Sequence, residues 1–368
     1  MTQAVIDRLR LARTDGVGPV TYRRLLRRFA TAAAALDALP GIARDAGRSQ
    51  PPRIPPAGDA RREIDALHRL GGRLLFLDDP DYPLRLAELE TGPAVLSVLG
   101  DVRLLAARSV ALVGARNASA NGQRMAELLA ADLGIAGLAV VSGLARGIDA
   151  AAHRGAMRTG RTVAAVAGGL DQPYPPENAA LQAEIAANGA VVAEAPFGTA
   201  PMARHFPRRN RVIAGLSEGV IVVEAAPRSG SLITARMAIE ANRLLFAVPG
   251  SPLDPRCRGS NDLIRSENAI LTESAADVVT HLGAEPGSAS EETAVPAPPG
   301  FADPPGAFDD PVAVRLRLDE LLGPEPVPVD DLLRRCQFSA SAVLGMLGEL
   351  EAEGVVQRVG SQVSRLAD

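Results

Sequence analysis

The segment from Arg204 to Ser217, RHFPRRNRVIAGLS, holds four arginines and a histidine and no acidic residue as far as Arg211. The whole chain has a formal net charge of -4, so this basic segment is a local feature and not a consequence of composition. Guanidinium groups suit phosphate, and the ring of Phe206 beside them offers a surface on which a base can stack. The segment therefore predicts contact with a phosphodiester chain. The alternative is a solvated basic turn at the start of a surface helix.

Four further segments place glycine, hydroxyl or arginine side chains directly after predicted strands. They are residues 114–116 (GAR), 142–149 (SGLARGID), 168–175 (GGLDQPYP) and 229–234 (SGSLIT). Glycine lets the backbone approach a ligand, and a helix N-terminus presents free amides to an anion. Each segment alone is also compatible with an ordinary turn or helix cap. Because ligands collect at the carboxyl ends of parallel strands, the segments together predict a site for an extended anionic ligand.

Several classes of site are excluded by the types and spacing of the remaining residues. Cys257 and Cys336 are the two cysteines and match no ligand spacing, so neither a disulfide framework nor a zinc site is predicted. No nucleophile–base pair or carboxylate cluster is evident, so we predict no catalytic residue, no metal and no cofactor. With no apolar leader and no apolar run long enough to span a bilayer, the chain is expected to be cytoplasmic and free of membrane contact.

The 368 residues predict more than one domain. Short helices are expected over residues 1–70, followed by an α/β core over 71–282. Residues 283–311 are rich in Pro, Gly and acids and are predicted to be a disordered linker. Residues 312–368 show three helical segments and a hairpin with Gly360 in its turn, which is a winged-helix pattern.

The core alternates apolar β segments with Ala-rich helices, and aromatic residues make up only 3% of the chain. Alternation without evident hairpins predicts βαβ units and a doubly wound, Rossmann-like parallel sheet. The predicted strands are 73–77, 110–113, 139–141, 163–167, 191–193, 220–223 and 244–248, and the predicted helices are 119–135, 147–159, 177–188, 208–216 and 229–242.

These segments together resemble the DprA/Smf family of DNA-processing proteins. The matching motifs are GAR at 114–116, SGLARGIDAAAH at 142–153, GGLDQPYPPEN at 168–178, HFPRRNRVIAGLS at 205–217, SGSLITA at 229–235, and VPGSP with GSNDLI within 248–264. In order and spacing they cover most of residues 73–280. Ala115 and the pair Gly168-Gly169 are mild departures from the family pattern.

The resemblance implies a Rossmann-like core that binds single-stranded DNA in a basic pocket, forms a homodimer and loads the RecA recombinase onto incoming strands during natural transformation. By position it assigns a phosphate contact to Arg116, a basic residue ahead of the HFP motif to Arg204, and base stacking to Phe206. Such proteins are not known as catalysts. The candidate DNA-binding residues are Arg116, Ser142, Gly143, Arg146, Arg204, Phe206, Arg208, Arg209, Asn210, Ser229, Gly230, Ser231 and Thr234.

The two terminal regions leave alternatives open. Gly16-Val17-Gly18 between two helices resembles a helix-hairpin-helix or SAM-like domain whose amides contact phosphate, and a helical bundle with a solvated basic face explains it equally well. In the winged-helix pattern the third helix would be the DNA reader. It carries Glu349, Glu351 and Glu353 and no basic residue, so we predict protein contact there, or an evolutionary relic, instead of DNA recognition.

Two other functions compete with single-stranded DNA binding. The first is an enzyme of the nucleotide phosphoribohydrolase or lysine-decarboxylase-like type, for which Arg236 and Glu240 after the SGSLIT segment would be the vestige of a catalytic pair. The basic segment Arg204–Arg211 exceeds what one nucleotide requires. The second is a transcription factor that uses the winged helix, and the acidic third helix argues against it.

Overall fold

The computed structural model describes residues 2–47 and 50–283, and from the remaining segment residues 314–316, 318–319, 322, 327–329, 332–333, 338, 340–359 and 362–365. The chain divides into two compact units, Met1–Pro286 and Gly287–Asp368. Apart from Gly283, the predicted linker lies outside the described residues. Within the described part of the chain, no helix combines the length and the apolar character needed to cross a membrane.

The first unit begins with four helices, as the sequence predicts. They are α1 (Gln3–Ala12), α2 (Pro19–Phe29), α3 (Ala32–Asp45) and α4 (Ala57–Arg69). Tyr22 and Leu36 are buried where α2 packs against α3, and Ile6 and Ile64 are buried in a second cluster that includes Phe76 of the following strand. The helical region therefore shares apolar contacts with the sheet and belongs to the same compact unit.

Three arginines from the helical region also bind the rest of the first unit. Arg13 donates to the backbone oxygen of Glu194 at 2.9 Å, and Arg23 donates to the backbone oxygens of Ala87 and Leu89, both at 2.7 Å. Arg8 forms ion pairs with two aspartates of the turn that follows the first strand. Charge-assisted bonds of this kind hold the helical region in a defined position on the sheet.

A nine-stranded sheet forms the centre of the unit. Its strands are β1 (Arg73–Phe76), β2 (Val95–Gly100), β3 (Ser109–Val113), β4 (Ala139–Ser142), β5 (Thr162–Val166), β6 (Ala190–Ala193), β7 (Gly219–Val222), β8 (Leu244–Ala247) and β9 (Ile270–Leu271). The spatial order is β1-β2-β6-β5-β4-β3-β7-β8-β9. In this spatial order, all neighbouring strands between β6 and β9 are parallel. The chain adds strands in one direction from β3 to β6 and in the opposite direction from β7 to β9, which confirms the doubly wound architecture.

The expectation of a purely parallel sheet was wrong at one edge. β2 pairs antiparallel with both β1 and β6, and residues 95–100 were not predicted as a strand. A short apolar run such as VLSVLG has no period that separates a strand from a buried helix. The connection between β1 and β2 spans residues 77–94 and contains a helix, so it is not the short loop that marks a hairpin in a sequence.

Helices cover both faces of the sheet, which explains why the central strands are apolar throughout. The helices are α5 (Leu84–Ala87), α6 (Arg103–Ala106), α7 (Ala120–Ile135), α8 (Ile148–Ala156), α9 (Ala179–Asn188), α10 (His205–Leu216), α11 (Gly230–Glu240), α12 (Arg258–Arg265) and α13 (Ala275–Leu282). One apolar cluster joins α10 and α11 to the sheet, and another joins α7, α8 and α13 to its other face. α10 begins three residues earlier than predicted, so Phe206 lies in its first turn.

The second unit, described by itself, has the third helix and the hairpin of the predicted winged-helix pattern, while the two preceding helical segments lie largely outside the described residues. The helix Ala340–Ala352 packs against a small sheet in the order β10 (Val327–Pro328), β12 (Gln362–Arg365) and β11 (Val356–Val359). β11 and β12 form the expected antiparallel hairpin, and the predicted turn residue Gly360 lies outside the described residues. Three glutamates at the end of the helix, Glu349, Glu351 and Glu353, are exposed.

Candidate nucleic-acid interface

A cavity of about 410 Å³ lies at the carboxyl ends of β3, β4 and β5, and we refer to it as the stacking cavity. The residues that line it are Arg116, Asn117, Gly143, Ala145, Arg146, Ala167, Tyr174, Pro175, Phe206 and Arg209. Loops after three strands and the first turn of α10 therefore meet at one place. This is the position at which a doubly wound sheet binds its ligands.

The ring of Phe206 is the centre of the stacking cavity. The guanidinium carbon of Arg116 lies 5.1 Å from the ring centre, and that of Arg209 lies 5.9 Å away. The ring of Tyr174 is tilted against it with a centroid distance of 5.7 Å. Two cations and two aromatic rings in one cavity can accept a flat base and the phosphate attached to it.

Arg209 is held by a buried ion pair. Its Nη1 atom lies 3.6 Å from Oδ2 of Asp149, and both side chains are less than one-tenth exposed. The same carboxylate oxygen accepts hydrogen bonds from the backbone amides of Gly143 and Ala145. Burial raises the pKa of Asp149, and Arg209 acts in the opposite direction. The ion pair holds the guanidinium of Arg209 at the base of the cavity, and the hydrogen bonds of Asp149 connect it to the loop after β4.

Gly143 is required by the packing of Arg209. A Cβ atom at this position would lie 1.1 Å from Nη1 of Arg209, so any side chain would displace the guanidinium. Gly147 has φ +71, and its Cβ would lie 2.3 Å from the backbone oxygen of Ala115. The two glycines thus bring the loop after β4 against both α10 and the loop after β3, which carries Arg116.

Arg116 and Arg146 both reach the stacking cavity, but their charges are used differently. Arg146 forms an ion pair with Glu177. Within the part of the chain that the structure describes, no carboxylate lies within ion-pair distance of Arg116, which is exposed. Since the chain contains no lysine, its arginines carry all side-chain positive charge other than that of histidine. Arg116 is therefore the cation most available to a phosphate in this cavity.

The structure corrects the expectation for Ser142. This residue is fully buried, and its hydroxyl donates to the backbone oxygen of Leu112 at 2.6 Å. The hydroxyl therefore forms its hydrogen bond inside the core, because Ser142 is the last residue of β4 and faces the neighbouring strand β3. It does not face the cavity as a phosphate donor.

Three candidates of the basic segment do not line the stacking cavity. Arg204 is exposed and precedes the first residue of α10, while Asn210 is half-buried. Arg208 is exposed and lines a different cavity. A helix turns its side chains through 100° per residue, so only Phe206 and Arg209, three positions apart, face the stacking cavity together.

The SGSLIT segment lies at the start of α11, after β7, and does not line the stacking cavity. The hydroxyls of Ser229 and Ser231 bond each other at 2.8 Å, and Thr234 is buried. Gly230 is exposed, and a Cβ atom at this position would meet no other atom within 4 Å. The DNA contacts expected of these four residues remain a prediction.

Tyr174 and Asp149 contribute contacts to the site and were not among the candidates. Tyr174 contacts Phe206, and its position in a glycine-rich segment after a strand was the available signal. Asp149 was interpreted as a possible helix-start residue, and its pairing with Arg209 depends on two segments far apart in sequence. Only the folded chain brings them together.

One group of possible metal ligands occurs in the described part of the chain, formed by Glu224, Asp254 and Cys257. Both carboxylates already have partners. Glu224 accepts hydrogen bonds from the amide and hydroxyl of Ser119, and Asp254 pairs with Arg256 at 2.7 Å. We therefore assign these side chains to loop structure.

Comparison with known proteins gives matches over most of the chain. Residues 73–283 match the family model described as DNA recombination-mediator protein A. Residues 2–66 match the DprA-like N-terminal HHH domain, and residues 302–362 match the DprA winged helix domain. Protein Smf of Synechocystis is 38% identical over 287 residues, which are 75% of this chain and 72% of that protein.

Two solved structures are similar to this one. The X-ray structure of DNA processing protein A from Streptococcus pneumoniae has a TM-score of 0.63 and 36% identity, covering 77% of this chain and 99% of that chain. DNA processing protein A from Helicobacter pylori, described for its single-stranded DNA binding mode, has a TM-score of 0.52 and 29% identity. That match covers 57% of this chain and 95% of the other.

Proposed function

The chain belongs to the DNA recombination-mediator protein A family, the DprA/Smf proteins, and on that premise we propose that it binds single-stranded DNA in the stacking cavity. The similar protein from Helicobacter pylori is described as binding single-stranded DNA. The observation that carries the proposal is the cluster at Phe206, in which an aromatic ring lies within 6 Å of two guanidinium groups at the carboxyl edge of the sheet.

Each part of the cluster has a chemical role in this function. The ring of Phe206 stacks on a base, and stacking tolerates every base because each has a π face. Arg116 and Arg209 neutralise phosphate charge, so affinity falls as salt is raised. The expected result is a binder with weak sequence preference and strong salt dependence.

Membership of the family supports proposals about the partners of the chain and about its location in the cell. We infer that the chain delivers bound strands to the RecA recombinase in the cytoplasm during natural transformation. We also infer a homodimer formed through the core. Support for the homodimer comes from exposed apolar side chains, among them Leu253 in the loop after β8, which is 90% exposed, and Leu271 in the edge strand β9, which is 48% exposed. Light scattering that gives only monomer mass at micromolar concentration would contradict the dimer.

The nucleotide-enzyme alternative has less support. It requires Arg236 and Glu240 to face a bound nucleotide, but both are exposed on α11, and neither lines the stacking cavity. We propose that the chain is a binding protein and not a catalyst. Release of a base or phosphate from AMP by the purified protein would contradict this.

The test is fluorescence anisotropy of a labelled oligo-dT strand, titrated at low and moderate salt with duplex DNA and AMP as competitors. Tight and salt-sensitive binding that duplex and AMP compete poorly is the expected result. Absence of binding to the strand would overturn the proposal, and binding of AMP in its place would favour the nucleotide enzyme.

A further inference from the structure

The stacking cavity holds less free positive charge than its arginines alone would supply. Among the described residues that line it, the charged side chains are those of Arg116, Arg146 and Arg209. The ion pair with Asp149 offsets the charge of Arg209. A second ion pair offsets the charge of Arg146, because its Nε atom lies 2.5 Å from Oε1 of Glu177. Three arginines and two carboxylates leave one unit of positive charge, and Arg116 carries it.

The two carboxylates differ in how closely they belong to the fold. Asp149 is buried together with Arg209, so removal of its charge would leave a buried cation without a partner. The Glu177 side chain is 49% exposed and that of Arg146 is 65% exposed. An exposed ion pair contributes little to the stability of a fold. The charge of Glu177 can therefore be removed without unfolding the protein, and the main effect of its removal is on the charge of the cavity.

The packing of two loops holds Glu177 beside Arg146. The next residue, Asn178, is buried, and its Nδ2 atom donates to the backbone oxygen of Leu144 at 2.8 Å. Leu144 is also buried and has φ +55, a left-handed conformation that a leucine adopts only where its surroundings hold it. This hydrogen bond joins the loop after β5 to the loop after β4, one residue from Glu177 and two residues from Arg146. The ion pair is therefore a consequence of the fold.

The loop that carries Glu177 also forms part of the wall of the stacking cavity. Tyr174 and Pro175 line the cavity, and the ring of Tyr174 contacts that of Phe206. Arg146 lines the cavity as well, and Glu177 contacts Arg146 directly. An anion that binds Arg146 must therefore share its guanidinium with this carboxylate.

The charge of the cavity suits a phosphodiester better than a terminal phosphate. A phosphodiester within a strand carries one negative charge, whereas a terminal phosphate carries about 1.5 to 2 at neutral pH. Among the described residues that line the cavity, no unpaired cation is left for the additional charge. That charge must nevertheless lose water to enter, and the carboxylate of Glu177 repels it.

We propose that Glu177 is a specificity-determining residue of the stacking cavity, which by neutralising Arg146 restricts the site to phosphodiesters inside a strand and disfavours terminal phosphates and free nucleotides. This rests on the proposed function, because it concerns the ligand of the same site. Glu177 acts through Arg146 and has no contact with the ligand. The protein then binds a strand along its length, and a phosphate at the 5′ end gives no advantage.

Glu177→Gln is the direct test, because glutamine keeps the length and polarity of the side chain and removes its charge. Glu127→Gln is the matched control. Glu127 forms the same kind of exposed ion pair, with Arg158 at 2.6 Å, and does not line the stacking cavity. The double variant Glu177→Gln with Arg146→Gln restores the net charge of the cavity and tests whether the effect of Glu177 passes through Arg146.

The measurement is anisotropy over a salt series with strands of six thymidines, labelled at the 3′ end, that carry either a hydroxyl or a phosphate at the 5′ end. The unsubstituted protein is expected to bind both strands equally. Glu177→Gln is expected to bind the hydroxyl strand about twofold to fivefold more tightly, which is the range of an exposed ion pair, and the phosphate strand more tightly still. Its slope of log affinity against log salt should be steeper by about 0.7, because one more arginine can neutralise a phosphate.

The two control proteins have their own expected results. Glu127→Gln should match the unsubstituted protein in affinity, in salt slope and in its equal binding of the two strands. The double variant should return to the salt slope of the unsubstituted protein and should again bind the two strands equally. If both single glutamine variants gain affinity equally, or if the double variant keeps the gain, the effect does not pass through Arg146 and the proposal is overturned.

The remaining outcomes separate this proposal from the proposed function. If the unsubstituted protein binds the strands and Glu177→Gln changes neither the salt slope nor the preference between them, the role of Glu177 is wrong while single-stranded DNA binding stands. If the unsubstituted protein already prefers the strand with the 5′ phosphate, the cavity accepts terminal phosphates and the proposal is also overturned. If the unsubstituted protein binds neither strand, both proposals fail.

Discussion

The guanidinium carbon of Arg116 lies 5.1 Å from the centre of the Phe206 ring, although the two residues come from the loop after β3 and the first turn of α10. Their contact places a cation and an aromatic ring in a single cavity, where we propose that they bind a phosphate and a base. Arg209 approaches the same ring from within the fold. The candidate interface therefore has an exposed cation and a buried one, and the two can be tested separately.

Replacement of Arg116 by alanine should weaken single-stranded DNA binding without affecting stability. Loss of one charge-assisted phosphate contact costs about 1–3 kcal/mol, which is roughly fivefold to 150-fold in affinity. The loss should be equal for all strand sequences, and the salt slope should become shallower by about 0.7. Anisotropy over a salt series measures both.

The control for this substitution is Arg124→Ala, which removes an exposed arginine from α7, outside the stacking cavity. It should bind as the unsubstituted protein does. Equal losses in the two variants would mean that general charge, and not the cavity, attracts the strand.

Replacement of Phe206 by leucine should weaken binding while leaving its salt dependence unchanged. Leucine keeps an apolar side chain but removes the π face, and base stacking on an aromatic ring contributes about 1–3 kcal/mol. Phe206→Tyr keeps the ring and should retain affinity. Titration of both variants with oligo-dT measures the two affinities. If the leucine variant binds the strand as tightly as the tyrosine variant does, stacking on this residue is excluded.

Replacement of Asp149 by asparagine should destabilise the fold. The change leaves the Arg209 charge buried without its partner, and breaking a buried ion pair costs about 3 kcal/mol or more. Urea unfolding of the purified variant measures the loss through its midpoint.

The double variant Asp149→Asn with Arg209→Gln removes both charges and should regain part of that stability. Its DNA affinity should stay low, because the stacking cavity has lost its buried cation. If Asp149→Asn alone is as stable as the unsubstituted protein, the charges of Asp149 and Arg209 do not stabilise each other as their geometry indicates.

His153 should make the protein less stable in mild acid. Burial, with the charges of Arg209 and Arg154, lowers the pKa of this fully buried imidazole to about 3. The unfolded chain takes up a proton near pH 6.5, so stability present above that pH is lost as the pH falls toward 3. Between pH 6.5 and pH 5 the loss attributable to this residue is about 2 kcal/mol.

The comparison variant is His153→Asn, whose amide can replace the contact between Nδ1 and Thr162. Its unfolding free energy should fall less steeply between pH 6.5 and pH 5. The contribution of the nearby Asp149 is common to both proteins and cancels in the difference. Identical pH slopes for the two proteins would contradict a neutral buried His153.

The sequence predicts the elements that carry a strong local signal. Six strands of the doubly wound part agree with the structure within one or two residues, because each is a short, wholly apolar segment that ends at a glycine, a proline or a polar residue. The strand Val95–Gly100 was missed because its partners, β1 and β6, are separated from it by long connections. The predicted start of α10 was late, since Pro207 in the first turn is compatible with either a turn or a helix.

The residue types at the interface are evident from the amino-acid sequence alone, because Arg116, Phe206 and Arg209 stand after a predicted strand or within the basic segment. The tertiary structure decided which of them meet. Ser142 turned into the core because its hydroxyl bonds a neighbouring strand, and Asp149 became the partner of Arg209. Local patterns carry the period of a strand or a helix, whereas side-chain contacts between distant segments depend on how those elements pack.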